Sequence, residues 1–106
     1  MEENRKGRTP EQKTEDLLFR YNLFSLSDQI FTKKVLAQID VALQSIQGDP
    51  MYRIIPMYYF ERMSNEAISL ELEIHIKTVK RHRRRMIRKL AAILFSDDVI
   101  SAIYNE

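Results

Sequence analysis

The stretch from Ile76 to Leu94 constrains the fold most, because its apolar and basic residues recur with the period of an α-helix. At about 100° per residue, its apolar side chains fall within about 60° of one direction. These are Ile76, Val79, Met86, Leu90, Ile93 and Leu94. The side chains within about 40° of the opposite direction form what we call the basic stripe. The basic stripe consists of Lys77, Arg81, Arg84 and Arg88. The pattern predicts one helix with a core-facing side and, directly across, a basic side.

The charge of this helix is strongly segregated. Eight of the seventeen Lys and Arg residues lie between residues 74 and 90, where none of the fifteen Asp and Glu residues occurs. Exposed helix faces usually mix signs, since like charges four residues apart destabilise by about 0.2–0.5 kcal/mol per pair. Segregation indicates a polyanionic partner. A solvated face, a protein groove and an anionic membrane are less favoured alternatives, the last two because the apolar side is needed for a core.

The residues before this helix complete a helix-turn-helix pattern. Ser64 is a suitable N-cap for a short helix through Leu72, and residues 73–75 form a brief break before a second helix that begins near Ile76. The second helix of such a motif enters the major groove of DNA. The candidate DNA-binding residues are His75, Lys77, Thr78, Lys80, Arg81, Arg84, Arg85 and Arg88. Arg83 lies on the apolar side, and we expect its head group to reach the rim.

The sequence contains no motif that indicates metal binding, catalysis or membrane association. His75 and His82 are seven residues apart without a third ligand in view, so no metal site is predicted. No nucleophile elbow or phosphate loop is present, and we expect neither catalysis nor a cofactor. The chain has no cysteine, and its longest apolar runs are far too short for a membrane span. These features predict a cytoplasmic protein that does not bind membranes.

The rest of the chain divides into three predicted parts. Residues 1–13 are polar and are expected to form a disordered arm. Residues 14–48 are expected to form two helices, the second running from Asp28 to Gln47 with Ser25 or Ser27 as its N-cap. Its apolar side could pack in the core or against a second copy in a homodimer. Residues 49–106 contain the helix-turn-helix and, before it, a helix that Pro56 causes either to kink near Ile55 or to begin there. With two Gly and three Pro, the fold class is predicted to be all-α.

Residues 54–100 resemble the C-terminal half of the ArpU-type phage transcriptional regulators, which in turn is similar to the fourth conserved region of bacterial sigma factors. The residues that carry the resemblance are an aromatic-rich helix ending in YFER, a helix with EAIS, then IKTVKRHRR and KLAAILFSDD. The resemblance implies an N-terminal helix pair followed by a sigma-like helix-turn-helix bundle that regulates late phage or prophage genes, with RNA polymerase as a candidate partner. By position, Lys77, Thr78, Lys80, Arg81 and Arg84 would face the major groove.

Two positions depart from that family's pattern. Ser69 stands where alanine is usual, and Glu73 stands where glycine is usual in the turn. A residue other than glycine at positive φ is costly, so the turn is either strained by about 1 kcal/mol or has a different geometry.

The sequence thus predicts a regulator that binds double-stranded DNA, in a bacterial cell or a phage-infected host. Two alternatives remain open at this point. One is a DNA-packaging recognition subunit of the small-terminase type, which would assemble into rings. The other is a sigma-like module that binds RNA polymerase and contacts DNA only in its company.

Overall fold

The computed structural model describes residues 9–26 and 29–95, and in these residues the regular structure is helical. In chain order the elements are α1 (Pro10–Phe19), α2 (Tyr21–Ser25), α3 (Ile30–Ile46), a π-helical turn (Pro56–Phe60), α4 (Asn65–Leu72) and α5 (Ile76–Phe95). The predicted all-α class is confirmed. Within the described ranges, no helix combines the length and the apolar character needed to cross a bilayer.

The first helix begins earlier than predicted. Thr9 is its N-cap and forms a capping box with Gln12: the Gln12 amide donates to the Thr9 hydroxyl at 3.0 Å, and the Thr9 amide donates to the Gln12 side chain at 2.9 Å. Pro10 occupies the first helical position, where its missing N–H costs nothing. Residues 10–13, assigned to the arm from the sequence, are therefore helical. Residues 1–8 lie outside the described residues.

The boundaries of the long middle helix also differ from the prediction. α3 runs from Ile30 to Ile46, and its N-cap is Gln29, whose side chain makes no capping hydrogen bond. Ser25 is the last residue of α2 and so is not the N-cap. The other predicted cap, Ser27, and the predicted first residue, Asp28, lie outside the described residues.

A single hydrophobic core joins the N-terminal helices to the helix-turn-helix. Val35, Ile39, Leu43 and Ile46 of α3 are at most 6% exposed and share one cluster with residues of every later element. α1 and α3 both pack against α5. These four side chains of α3 are therefore internal, which favours the core interpretation of this helix; the alternative interface with a second copy stays a prediction.

The buried side of α5 extends further than the sequence predicted on one flank and less far on the other. Val79, Met86 and Leu90 are fully buried, as predicted. Ile93, placed on the apolar side by its periodicity, is 36% exposed, whereas Ile87 is 3% exposed. The difference arises because α1 lies against the Ile87 flank of α5.

The π-helical turn begins at Pro56, directly after two helical residues, Ile54 and Ile55, so the backbone changes its geometry at the predicted place. The amide of Glu61 donates to the carbonyl of Pro56 at 3.0 Å, five residues apart, so the backbone is wider than in an α-helix. The next residue, Arg62, has a φ of 59°. α4 begins three residues after this left-handed residue, at Asn65.

Candidate nucleic-acid interface

The predicted helix-turn-helix is present with the predicted limits. The amide of Ala67 donates to the hydroxyl of Ser64 at 3.0 Å, so Ser64 caps α4, and Glu66 lies in the first turn, where the helix dipole favours an acid. α4 ends at Leu72, and α5 begins at Ile76 after the three residues of the turn.

The turn after α4 closes through a left-handed residue in spite of its unusual sequence. Glu73 is left-handed, with φ 59° and ψ 43°, and the amides of Glu73 and Ile74 both donate to the carbonyl of Ser69. The Ser69 hydroxyl also donates to the carbonyl of Ile74 at 2.5 Å. Of the two outcomes expected for this turn, the regular geometry with local strain is therefore the one found. Ser69 supplies a hydrogen bond across the turn that alanine could not make.

His75, a candidate DNA-binding residue, forms hydrogen bonds with the first turn of α5. Its Nδ1 accepts the amide of Lys77 at 3.0 Å, and its carbonyl accepts the amides of Thr78 and Val79 at 2.9 and 3.1 Å. Because Nδ1 is an acceptor, the ring proton is on Nε2. The exposed Nε2–H remains available as a donor beside the first turn of α5.

The basic stripe lies on the solvent side of α5. Lys77, Arg81, Arg84 and Arg88 are all exposed. Thr78 and Lys80 are partly buried on its flanks. Since Val79, Met86 and Leu90 on the opposite side of the same helix are fully buried, α5 holds these basic groups toward solvent. Spaced at 77, 81, 84 and 88, they span about three turns, or roughly 16 Å of helix.

Arg85 lies on the flank of α5 and is already bound within the chain. Its Nη1 and Nη2 donate to the two carboxylate oxygens of Asp49 at 2.5 and 3.1 Å, and its side chain is 33% exposed. The hydrogen bond from Arg85 lowers the pKa of Asp49 from 3.8 to about 2. The pKa of His82 is lowered by burial and by the nearby Arg85 and Arg81, so neutral Nδ1 of His82 can accept from Arg85 at 2.9 Å. Arg85 thus ties α5 to the loop after α3.

Arg83 does not reach the rim as the sequence suggested. Its side chain is only 13% exposed, and its Nη1 donates to Glu15 of α1 at 3.0 Å. The partner of Arg83 is 68 positions away along the chain, in a helix outside the motif. Helical periodicity placed Arg83 on the core side correctly but could not identify this carboxylate.

Residues 58–93 match the family model GerE, described as bacterial regulatory proteins of the luxR family. The matched segment, about a third of the chain, starts in the π-helical turn, contains α4 and ends two residues before α5 does. The match is to regulators with a helix-turn-helix DNA-binding domain, and it supports DNA-binding transcription regulation as the role of this part of the chain. No curated protein and no solved structure matches the chain.

Proposed function

We propose that the protein is a sequence-specific regulator of transcription that binds double-stranded DNA through the outward side of α5. The observation that carries this proposal is the basic stripe: four exposed basic side chains on a helix whose other side is buried and whose start is fixed by the helix-turn-helix. The match of residues 58–93 to a family of bacterial regulatory proteins supports the same role.

The position of each side chain along α5 suggests its part in binding. In helix-turn-helix proteins the first residues of the second helix contact base edges, and later residues run out over the backbone. Lys77 and Arg81 are one turn apart near the start of α5, and the planar guanidinium of Arg81 can pair with O6 and N7 of guanine. Arg84 and Arg88 lie further along and would bind phosphates, supplying affinity without sequence preference.

The remaining candidates flank this central set. Thr78 and Lys80 border the basic stripe, and His75 offers its Nε2–H at the helix start. Arg85 has two of its five N–H donors directed at Asp49 and one near His82, so its contribution to DNA would come from the donors that remain. We therefore assign Arg85 mainly to holding α5 in place and secondarily to the phosphate backbone.

The regulated genes are proposed to be late phage or prophage genes, with RNA polymerase as a further partner. This part rests on the resemblance of residues 54–100 to ArpU-type regulators and to the fourth region of sigma factors. In that mode the protein would bind one asymmetric site beside a promoter. The burial of Ile39, Leu43 and Ile46 within the chain argues against α3 as a homodimer interface.

Selection of bound DNA from a random pool tests the proposal. We expect enrichment of one short site, without twofold symmetry if the sigma-like mode is right. A palindrome would instead indicate two copies on the DNA. A pool with no enriched sequence would contradict sequence-specific binding.

A matched pair of variants identifies the surface that binds the selected DNA. Arg84→Ala should weaken binding, whereas Lys33→Ala, which removes another exposed positive charge, from α3, should leave it within about twofold. Equal effects of the two variants would show that α5 is not the binding surface. Transcription by purified RNA polymerase from a template with the selected site, measured with and without the protein, then tests RNA polymerase as the second partner.

A further inference from the structure

Helix α1 lies outside the segment that matches the GerE model, yet it is packed along the DNA-binding helix. The matched residues start at 58, whereas α1 spans Pro10–Phe19. Leu17 and Leu18 of α1 are buried in the common core, and the flank of α5 at Ile87 forms a cleft of about 250 Å³ with the side chains of Glu11 and Glu15. α1 is therefore part of the support for α5.

A cluster of four polar and aromatic side chains fixes this contact. The carboxylate Oε2 of Glu15 accepts from the Tyr59 hydroxyl at 2.6 Å and from Arg83 Nη1 at 3.0 Å. Arg83 Nη1 also lies 3.1 Å from the Tyr59 oxygen, and its guanidinium carbon lies 4.1 Å from the centre of the Tyr58 ring. Tyr59 is 1% exposed, and its pKa is raised by burial and by the hydrogen bond to Glu15, so its hydroxyl keeps its proton.

The cluster restrains how α5 is rotated about its axis. Arg83 immediately precedes Arg84 and lies two residues after Arg81, on the same rigid helix. Because successive side chains differ by about 100° in direction, a guanidinium held on one side fixes where its neighbours point on the other. Base-edge hydrogen bonds weaken steeply when distance or angle is lost, whereas phosphate attraction tolerates small displacements. Rotation of α5 would thus lower the affinity for the specific site more than the affinity for unrelated DNA.

We propose that Glu15 is a positioning residue for DNA reading, so that the DNA-binding unit consists of α1 together with the helix-turn-helix. The inference rests on the proposed function, since it concerns how α5 is presented to DNA. Glu15 acts through Arg83 and does not itself contact DNA. Residues 58–93 alone would lack the carboxylate that holds Arg83.

The test compares Glu15→Gln with Asp16→Asn in the full chain. Both variants remove one negative charge from the same helix, so their general effect on attraction to DNA is alike. Asp16 forms an ion pair with Arg20, four residues further along the chain, and the two side chains are 38% and 61% exposed respectively. The measured quantity is the ratio of affinities for the selected site and for a scrambled site, at a temperature where circular dichroism shows both variants folded.

We expect Glu15→Gln to lower this ratio about tenfold relative to Asp16→Asn, which corresponds to an ordinary coupling between contacting residues. The salt dependence of binding to the scrambled site should be the same for both variants, since the number of phosphate contacts is unchanged. Equal ratios for Glu15→Gln and Asp16→Asn would overturn the proposal.

Tyr59→Phe provides a second test if Glu15→Gln fails to fold. It removes one hydroxyl from the cluster and keeps the ring in the core, and it should also lower the ratio, though by less. Discrimination equal to that of the unmodified chain would overturn the proposal in that case. If the unmodified chain itself enriches no site, the proposed function fails; if it enriches one and the variants discriminate equally well, only the role of Glu15 fails.

Discussion

Replacing Glu73 tests most directly whether the backbone of the turn is strained. Its φ of 59° and ψ of 43° place an exposed residue other than glycine in the left-handed region. For such a residue this conformation costs roughly 1–2 kcal/mol relative to right-handed backbone. Glycine lacks that cost but loses more backbone freedom on folding, about 0.4–1 kcal/mol. We therefore expect Glu73→Gly to raise the free energy of unfolding by about 0.5–1 kcal/mol.

This gain should be visible as a shift in melting temperature. With an unfolding entropy of about 2.1 cal/mol/K per residue, a chain of 106 residues should melt about 2–5 °C higher. Thermal unfolding followed by circular dichroism measures the shift. DNA affinity of Glu73→Gly should equal that of Glu73→Ala, because both variants lose the same carboxylate and the geometry of the turn is retained.

Two controls separate the backbone effect from loss of the carboxylate. Glu73→Ala also removes the charge but keeps Cβ, and it should change the stability by less than about 0.5 kcal/mol. Glu71→Gly places glycine in α4, where the backbone is helical, and should destabilise by up to about 1 kcal/mol. If Glu73→Gly is no more stable than Glu73→Ala, the reasoning about strain in the turn is wrong.

Three further results are expected. Leu43→Asp, at a position 6% exposed in the core, should unfold the protein, as seen by circular dichroism; a folded variant would mean that this side of α3 is an interface. Because the pKa of Asp49 is lowered to about 2, its ion pair with Arg85 stabilises the fold above about pH 3.8, and about 1–2 kcal/mol of the unfolding free energy should be lost as the pH falls toward 2. Urea unfolding across this pH range measures the loss, and Asp49→Asn should remove it. An unchanged pH profile in Asp49→Asn would contradict the pairing. If the basic stripe and its flanks neutralise about four to five phosphates, a plot of the logarithm of the DNA-binding constant against the logarithm of salt concentration should have a slope of roughly −4. A slope shallower than about −2 would contradict phosphate binding by the basic stripe.

The helix-turn-helix could be predicted from sequence because its signals are local. Ser64 caps α4 through an amide three residues away, and the limits of α5 follow from one continuous helical period. The start of α1 was missed although a local signal was present. Thr9, Pro10 and Gln12 form a capping box with proline at the first position, but the polar composition of residues 9–13 suggested an arm instead.

The contacts that hold α5 could not be predicted because their partners are remote in sequence. Arg85 pairs with Asp49, 36 positions away, and Arg83 with Glu15, 68 positions away. A helical projection assigns each arginine a direction but says nothing about which element lies there. Both residues contributed to the apparent basic charge of the helix, and the structure shows that carboxylates elsewhere in the chain bind them.

The most direct test of the central claim is to measure binding of Arg81→Ala and Arg88→Ala to the selected site and to every single-base variant of it. Arg81→Ala should cost roughly 1–3 kcal/mol on the selected site and abolish the preference at one base pair. Arg88→Ala should weaken binding to all the sequences about equally and reduce the magnitude of the salt slope by about one. If Arg81→Ala leaves the ranking of the single-base variants unchanged, the outward side of α5 does not read DNA through Arg81, and the account of how this helix recognises its site is wrong.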